Sequence, residues 1–280
     1  MTSDDFQTET PVHDHNRRAW DARVRRKSTF TRPVEESDFS DPLAAVDGVG
    51  WLGGNILDRQ VLCLAAGGAR QGPLYAAAGA QVTVVDISPA MLELDRQIAA
   101  EKELQIHTIQ ASMDNLSALE TGSFDIVIQP VSTCYLPHVW PVYQEVARVI
   151  RDQGLYISQH KQPASLQADV QPSEHGYELR EPYYRDGPLP QVAGSPHREE
   201  GTLEYLHRWE ELIGGMCRAG FVIEDLLEPF HAKPDAEVDS FAHRCQFIAP
   251  YLRVKARRVG DRDANGSTLW TPELDTPENP

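Results

Sequence analysis

Two adjacent glycines and an aspartate about twenty residues later form the part of this chain best suited to hold a cofactor. Gly67 and Gly68 follow a continuously apolar segment, Val61 to Ala65, which is typical of a strand buried on both faces of a parallel sheet. Glycine lets the backbone turn tightly against a ligand, because it has no Cβ. The next apolar segment, Val82 to Val85, ends at Asp86, whose carboxylate can accept both hydroxyls of a ribose. The pattern predicts a site for a nucleoside-containing cofactor.

Two classes of cofactor use this strand, turn, helix, strand and acid arrangement: dinucleotides and S-adenosylmethionine (SAM). A dinucleotide fingerprint has glycines at the first, third and sixth positions of the turn, so that the backbone can enclose a pyrophosphate. Counting from Ala65 places Gly67 third and Arg70 sixth, and counting from Gly67 places Ala69 third and Gly72 sixth. Neither register fits, so the sequence disfavours a dinucleotide without excluding it.

The order of motifs along the chain resembles that of the class I SAM-dependent methyltransferases. Besides the glycine turn, the resemblance rests on the acid-led segment from Asp86 to Leu92, the loop from Gln110 to Leu116 and the strand-like segment from Ser123 to Ile128. It covers roughly residues 55 to 258. It implies methyl transfer with SAM as cofactor. It also implies an α/β fold: a Rossmann-like seven-stranded, mostly parallel sheet with an antiparallel last strand, helices on both faces and a small cap.

Four positions depart from the family pattern. The acid that many members carry in the first strand is Cys63 here, and the usual acid of the adenine-side loop is Ser112. Ala65 and Ala69 replace two glycines of the turn. Alanine is tolerated there if the backbone has negative φ, and the Ser112 hydroxyl can still hydrogen-bond an adenine amino group.

The resemblance and the expected position of the crevice give a set of cofactor-contacting residues. Trp20 lies in a predicted N-terminal helix of the kind that often covers the cofactor in related methyltransferases, although core packing explains it equally well. Ligands of open α/β sheets bind beyond the carboxyl ends of the strands, so residues 129–135 and 160–162 are expected to face the reacting methyl group. The predicted cofactor residues are Trp20, Ala65, Gly67, Gly68, Asp86, Ile87, Met91, Ser112, Met113 and Gln129.

Methyl transfer from a sulfonium is an in-line displacement, so the enzyme chiefly aligns the reactants and excludes water. A base helps only where the acceptor carries a proton that must leave. His160, at the end of the predicted fifth strand, is the first candidate for that base, followed by Tyr135 and His207. For each of the three, a structural or orienting role is the stronger alternative.

Capping signals and a 3.6-residue period predict the helices. Ser88 is a good N-cap for a helix that would turn Met91, Leu94 and Ile98 inward. Another helix is predicted over residues 139–150.

The C-terminal third is predicted to contain a helix over residues 202–218, capped by Thr202, and a final strand over 251–257 that pairs antiparallel with the sixth. The preceding segment, about 161–201, is too long for an ordinary connection and is rich in Pro, Tyr, His and charge. It is the predicted substrate cap, inserted in a single methyltransferase domain over residues 13–258.

Composition limits the other possibilities. The net charge of −16 argues against a nucleic-acid substrate, since binding phosphates needs a concentrated basic face. The four cysteines are widely spaced and suggest neither a metal site nor a disulfide framework. No secretory signal or membrane-spanning run is visible, so a cytoplasmic protein acting on a small molecule is expected. Residues 1–12 and 259–280 are predicted to be a disordered arm and a disordered acidic tail.

Two alternatives to a methyltransferase remain open at this point. The first is a SAM-binding enzyme or binding protein that transfers no methyl group, because the altered first motif has lost turnover. The second is an NAD-dependent oxidoreductase, because the glycine register disfavours a pyrophosphate without excluding it.

Overall fold

The computed structural model of the protein describes residues 11–28, 31–32 and 34–260. The predicted disordered arm and tail therefore lie mostly outside the described residues. The exceptions are Pro11 and Val12, which begin a helix rather than a disordered arm, and residues 259–260.

A seven-stranded sheet with the order β3-β2-β1-β4-β5-β7-β6 forms the centre of the fold. Strands β1 to β5 pair in parallel, and β7 pairs antiparallel with both β5 and β6. The predicted Rossmann-like sheet with an antiparallel last strand is thus confirmed. The strands are β1 Gln60–Leu64, β2 Gln81–Asp86, β3 Ile106–Gln110, β4 Phe124–Gln129, β5 Ile150–Lys161, β6 Phe221–Leu227 and β7 Tyr251–Arg258.

Helices cover the sheet and its carboxyl edge. In the described residues, none of them has the length and apolar content needed to cross a lipid bilayer. The α-helices are α1 Pro11–Arg25, α2 Pro42–Val46, α3 Gln71–Ala77, α4 Pro89–Glu101, α5 Trp140–Val149, α6 Pro163–Gln167, α7 Gly215–Arg218 and α8 Phe241–Arg244.

The first strand shows why both faces of the sheet need helices. Leu62 and Leu64 belong to the apolar layer that contains the inner face of α5, whereas Val61 and Cys63 belong to the layer that contains Tyr75 of α3. Successive side chains of a strand point to opposite faces, so a continuously apolar segment is buried on both. The glycine turn therefore follows a strand whose last four residues are buried.

Helix α4 begins as predicted but buries a different stripe. The Ser88 hydroxyl accepts the Met91 N–H at 3.1 Å, which confirms the cap. The buried residues of the helix are Met91, Leu92, Asp95 and Ala99, while Leu94 and Ile98 are only half-buried. The difference turns a carboxylate, Asp95, toward the sheet and the glycine turn.

The predicted helix over residues 202–218 is wrong in its first half. Residues 202–208 are not helical, a π-helical turn occupies Glu210–Gly214, and α7 follows. Backbone N–H groups of residues 202–208 donate to distant segments instead. The Leu203 N–H donates to Asn16 Oδ1 at 2.7 Å, and the Tyr205 N–H donates to the Cys134 carbonyl at 2.7 Å. These tertiary hydrogen bonds replace the helical ones.

Candidate functional site

A cavity of about 380 Å³, the main cavity, lies beyond the carboxyl ends of β1, β2, β4 and β5. Its volume is in the range of small-molecule sites. The structure brings nine of the ten predicted cofactor residues to its wall, together with Tyr135; Gln129 is the exception. The nine are Trp20, Ala65, Gly67, Gly68, Asp86, Ile87, Met91, Ser112 and Met113.

The turn after β1 is strained at the two alanines that replace glycines. Ala65 has φ of 49° and Ala69 has φ of 64°, so both adopt the left-handed conformation and the condition under which alanine is tolerated without strain is not met. A non-glycine residue in this region costs about 1 to 2 kcal/mol. Gly67 is required for a different reason: a Cβ there would lie 2.8 Å from the Cβ of Met91. The turn is pressed against α4.

Two buried carboxylates hold this turn in place. Asp86 accepts the Gly67 N–H on Oδ2 at 3.0 Å and the Ser88 N–H on Oδ1 at 2.9 Å. Asp95 accepts the Gly68 N–H at 2.9 Å. A pyrophosphate would need the Gly67 and Gly68 N–H groups as donors, but both already donate to carboxylates. Each Asp86 oxygen keeps a lone pair for a ligand donor such as a ribose hydroxyl.

Burial makes both carboxylates weaker acids than usual. It raises the pKa of Asp86 to about 6, against the lowering effect of the Ser88 and Gly67 hydrogen bonds. It raises the pKa of Asp95 to about 7, with the nearby Asp86 adding to the effect. The sequence indicated Asp86 by its position at the end of β2. It gave no sign of Asp95, because a carboxylate inside a helix is usually a solvated residue.

Helix α1 closes one side of the main cavity. The Asn16 amide donates to the Tyr135 carbonyl at 2.8 Å, and Asp21 accepts the Ser88 hydroxyl at 2.6 Å. Trp20 packs edge-on against Tyr135, with ring centroids 5.6 Å apart. Trp20 therefore lines the cavity and also belongs to an apolar cluster, so a role in covering the cofactor and a role in core packing are compatible. No sequence signal identifies Asn16.

The opposite end of the main cavity is formed by Tyr135, Glu199 and Tyr251. Behind them lies a buried charge cluster: Lys161 contacts the carboxylates of Glu199 and Glu204, and Arg198 contacts Glu204. We call Lys161, Arg198, Glu199 and Glu204 the charge cluster. It joins the end of β5 to residues 198–204, and Glu199 is the residue of the predicted cap segment that lines the cavity.

The charge cluster keeps Glu199, its member on the cavity wall, in the ionised form. Burial alone would raise the pKa of Glu199, but the Lys161 ammonium and several hydrogen bonds outweigh it and hold this pKa below its ordinary value. Burial raises the pKa of Tyr135 well above its ordinary value, and the negative charge of Glu199 adds to the effect. The cavity thus presents an ionised carboxylate beside a neutral phenol.

His160 does not line the main cavity. Its ring is fully buried, with Nδ1 2.9 Å from the Thr133 hydroxyl and Nε2 2.8 Å from the Ser158 hydroxyl. Burial lowers the pKa of His160 to about 3, so the ring is neutral. His207 is also buried, with Nε2 3.0 Å from the Thr133 carbonyl. Both histidines occupy structural positions, and of the three predicted bases the structure brings only Tyr135 to the cavity.

Gln129 lies behind the cavity wall. Its amide donates to the Ser132 hydroxyl at 2.9 Å and its oxygen accepts the Tyr156 hydroxyl. Both ends of the amide are thus used inside the protein, so Gln129 supports the wall without lining it. Among the wall residues that the sequence prediction missed are six from segments distant from the glycine turn: His13, Asn16, Arg32, Gln159, Glu199 and Tyr251.

Comparison with known proteins identifies relatives over most of the chain. Residues 62–158 match a family model described as a methyltransferase domain. The uncharacterized methyltransferase YbaJ of Bacillus subtilis is 34% identical over 229 residues, which are 76% of this chain and 89% of that protein. The ubiquinone biosynthesis O-methyltransferase of Xanthomonas oryzae pv. oryzae is 29% identical over 123 residues, 43% of this chain and 52% of that enzyme.

Solved structures share the fold at low sequence identity. A SAM-dependent methyltransferase from Mesorhizobium loti has a TM-score of 0.59 and 20% identity, covering 73% of this chain and 93% of that one. The geranyl diphosphate C-methyltransferase of Streptomyces coelicolor has a TM-score of 0.55 and 15% identity, covering 89% and 99%. With the sheet order, the glycine turn and a 34% identical relative along most of its length, this chain belongs to the class I SAM-dependent methyltransferases.

Proposed function

We propose that this enzyme transfers the methyl group of SAM to a small-molecule acceptor that binds at the Tyr135, Glu199 and Tyr251 end of the main cavity. One observation carries the proposal. A single cavity joins the carboxylate-held glycine turn to an end lined by two phenols and an ionised carboxylate. When bound, SAM supplies an electrophilic methyl carbon on a positively charged sulfur. The protein has to hold cofactor and acceptor in line and keep water out.

The residues at the glycine turn suit the cofactor. Asp86 is proposed to accept the ribose hydroxyls with the lone pairs that its backbone partners leave free. Ile87 and Met91 would pack against the adenine. Ser112 and Met113 would contact its edge, in agreement with their places on the cavity wall. Ala65, Gly67 and Gly68 would lie beside the methionine portion, where small residues leave room.

The opposite end suits an acceptor that carries a hydroxyl or amino group. Glu199 is held ionised by Lys161, so it can accept a hydrogen bond from such a group and fix its direction. Tyr135 lines the same cavity as this carboxylate and packs edge-on against Trp20 of α1. The covering helix and the cap restrict access to the site, which favours a small molecule over a polymer. The net charge of −16 also opposes a nucleic acid.

Two measurements test the proposal. Calorimetric titration with SAM and S-adenosylhomocysteine should show binding. Mass spectrometry of metabolite mixtures incubated with enzyme and SAM should show a product that has gained one methyl group. Tyr135→Phe should lower the transfer rate about tenfold while SAM affinity stays within twofold, because the acceptor would lose the phenol on the cavity wall as a hydrogen-bond partner. Tyr177→Phe, whose phenol contacts His243 away from the cavity, is the matched control.

The remaining alternative is a SAM-binding protein without turnover. Family membership removes the NAD-dependent oxidoreductase from consideration. Tight SAM binding with no methylated product from any mixture would support the alternative and contradict the proposed transfer.

A further inference from the structure

A second cavity of about 300 Å³, the side chamber, adjoins the main cavity at the carboxyl ends of β4 and β5. The two share four wall residues: Arg70, Gln71, Pro130 and Gln159. The outer wall of the side chamber is the segment 45–52, which contains the end of α2 and Trp51. A ligand in the main cavity could therefore extend past Gln159 into this chamber.

Arg253 is the distinctive group of the side chamber. It lies on β7 opposite Gln159 of β5, and its Nε and Nη2 both donate to Gln159 Oε1, at 3.2 and 3.1 Å. A guanidinium has five N–H donors, so three are left. In the part of the chain that the structure describes, no carboxylate forms an ion pair with Arg253.

The other charged groups of the chamber are already matched. Arg70 forms an ion pair with Asp38 at 3.1 Å. Asp47 accepts the backbone N–H groups of Trp51 and Leu52 on its two oxygens, at 2.8 and 2.9 Å. Arg253 thus supplies a positive charge that no neighbouring carboxylate neutralises at contact distance. The rest of the wall includes apolar side chains: Val46, Val49, Leu52, Ile128 and Ile157.

We infer that the side chamber binds a carboxylate of the methyl acceptor through Arg253, with Gln159 orienting the guanidinium. The acceptors are then small organic acids with an apolar body, an inference that rests on the proposed methyl transfer. A planar guanidinium fits a carboxylate with two parallel hydrogen bonds. One unmatched positive charge suits a singly charged carboxylate better than a doubly charged phosphate.

The test compares acids with their neutral counterparts. The probes are benzoate, 3-phenylpropionate and indole-3-acetate, each paired with its primary amide. Binding is measured by calorimetry and ligand-observed NMR on the full chain saturated with S-adenosylhomocysteine. We expect at least one acid to bind about tenfold or more tightly than its amide, and Arg253→Gln to remove that preference. Arg253→Lys keeps the positive charge but lacks the paired N–H donors of the guanidinium, so it should retain part of the preference for acids.

The matched control is Arg257→Gln, on the same strand and the same side as Arg253 but ion-paired with Glu224. It should leave the preference for acids unchanged. Equal binding of acids and amides, no binding of any acid, or an unchanged preference in a folded Arg253→Gln protein would each overturn the inference. SAM titrations of the same samples separate the two proposals. Methyl transfer to neutral acceptors alone would support the proposed function but contradict the inference of a carboxylate-bearing acceptor. Failure of the wild type to bind SAM would contradict the proposed function itself.

Discussion

The two ends of the main cavity are built in different ways. At the proposed cofactor end, Gly67, Asp86 and Asp95 lie within thirty residues of one another, and backbone N–H groups donate to carboxylates there. At the proposed acceptor end, Glu199 of the predicted cap lines the cavity with Tyr135, and the Lys161 side chain forms an ion pair with that carboxylate. The first end follows from the βαβ unit, since parallel neighbouring strands bring the glycine turn beside the acid. The second end depends on the path of the cap.

The difference also concerns energy. The cofactor end stores backbone strain at Ala65 and Ala69 and places carboxylates where their ionisation is unfavourable. The acceptor end balances its buried charges in ion pairs. We therefore expect substitutions at the acceptor end to affect stability most, and substitutions at the cofactor end to affect ligand binding most.

The largest effect is expected from Lys161→Met, which leaves the buried Glu199 and Glu204 carboxylates without their shared cation. Breaking a buried ion pair in this way costs about 3 to 5 kcal/mol in the free energy of unfolding, which urea titration measures. Lys255→Met, which breaks a partly exposed pair with Glu224 at 3.3 Å, should cost less than about 1 kcal/mol. Equal losses in the two variants would show that burial of the charge cluster has no energetic consequence.

Asp86→Ala is expected to lower SAM affinity about tenfold or more, about 1.4 kcal/mol, because the ribose hydroxyls lose their acceptor. It should also lower the free energy of unfolding by about 1 to 3 kcal/mol, because the Gly67 and Ser88 amides lose theirs. Calorimetry and urea titration separate the two effects. Asp152→Ala, at an exposed carboxylate, should change neither quantity. An unchanged SAM affinity in Asp86→Ala would place the ribose elsewhere.

SAM affinity should fall as the pH drops below about 6, because the ionised form of Asp86 accepts both hydroxyls and its pKa is raised to about 6. The expected loss between pH 7 and pH 5 is about tenfold. The free energy of unfolding depends on pH in the opposite direction. The raised pKa stabilises the folded protein below the ordinary value of 3.8, and this contribution is lost as the pH rises through about 6. Calorimetry of Asp86→Asn should show a flatter pH profile, and an equal fall in wild type and variant would contradict the assignment to Asp86.

The smallest effect is expected from Ala69→Gly, which relieves a left-handed alanine. The gain of about 1 to 2 kcal/mol is partly offset by the greater freedom of glycine in the unfolded chain, which leaves a net increase of up to about 1 kcal/mol. Ala78→Gly, at φ of −79°, should instead lower the free energy of unfolding by about 0.5 kcal/mol. A loss of stability in both variants would mean that the turn carries no strain at Ala69.

Particular residues show how far sequence patterns reach. The family resemblance implied the sheet with its antiparallel last strand, and local signals predicted the Ser88 cap and Asp86 at the end of β2. All three are confirmed. The helix from Thr202 was wrong, because residues 203 and 205 donate their N–H groups to Asn16 and Cys134, distant in the chain. Helix propensity cannot register such competition from tertiary contacts.

His160 and Gln159 show that the sequence pattern also fails to predict which side chains of β5 line the cavity. They are neighbours on β5, and the structure places Gln159 on the cavity wall and His160 in the interior. Side chains of a strand alternate between faces, so a prediction that is one residue out of phase selects the wrong side chain. Because β5 is covered on both faces, its sequence contains no polar and apolar alternation to fix that phase.

The sequence by itself determined the class of cofactor site, since a buried strand, a glycine turn and an acid after the next strand are local features whose geometry the parallel sheet imposes. Tertiary structure alone decided the left-handed strain at Ala65 and Ala69, the burial of His160, the pairing of Lys161 with Glu199 and the contact of Arg253 with Gln159. These features arise where segments far apart in the chain meet. Their energies depend on burial and on partners that no local pattern records.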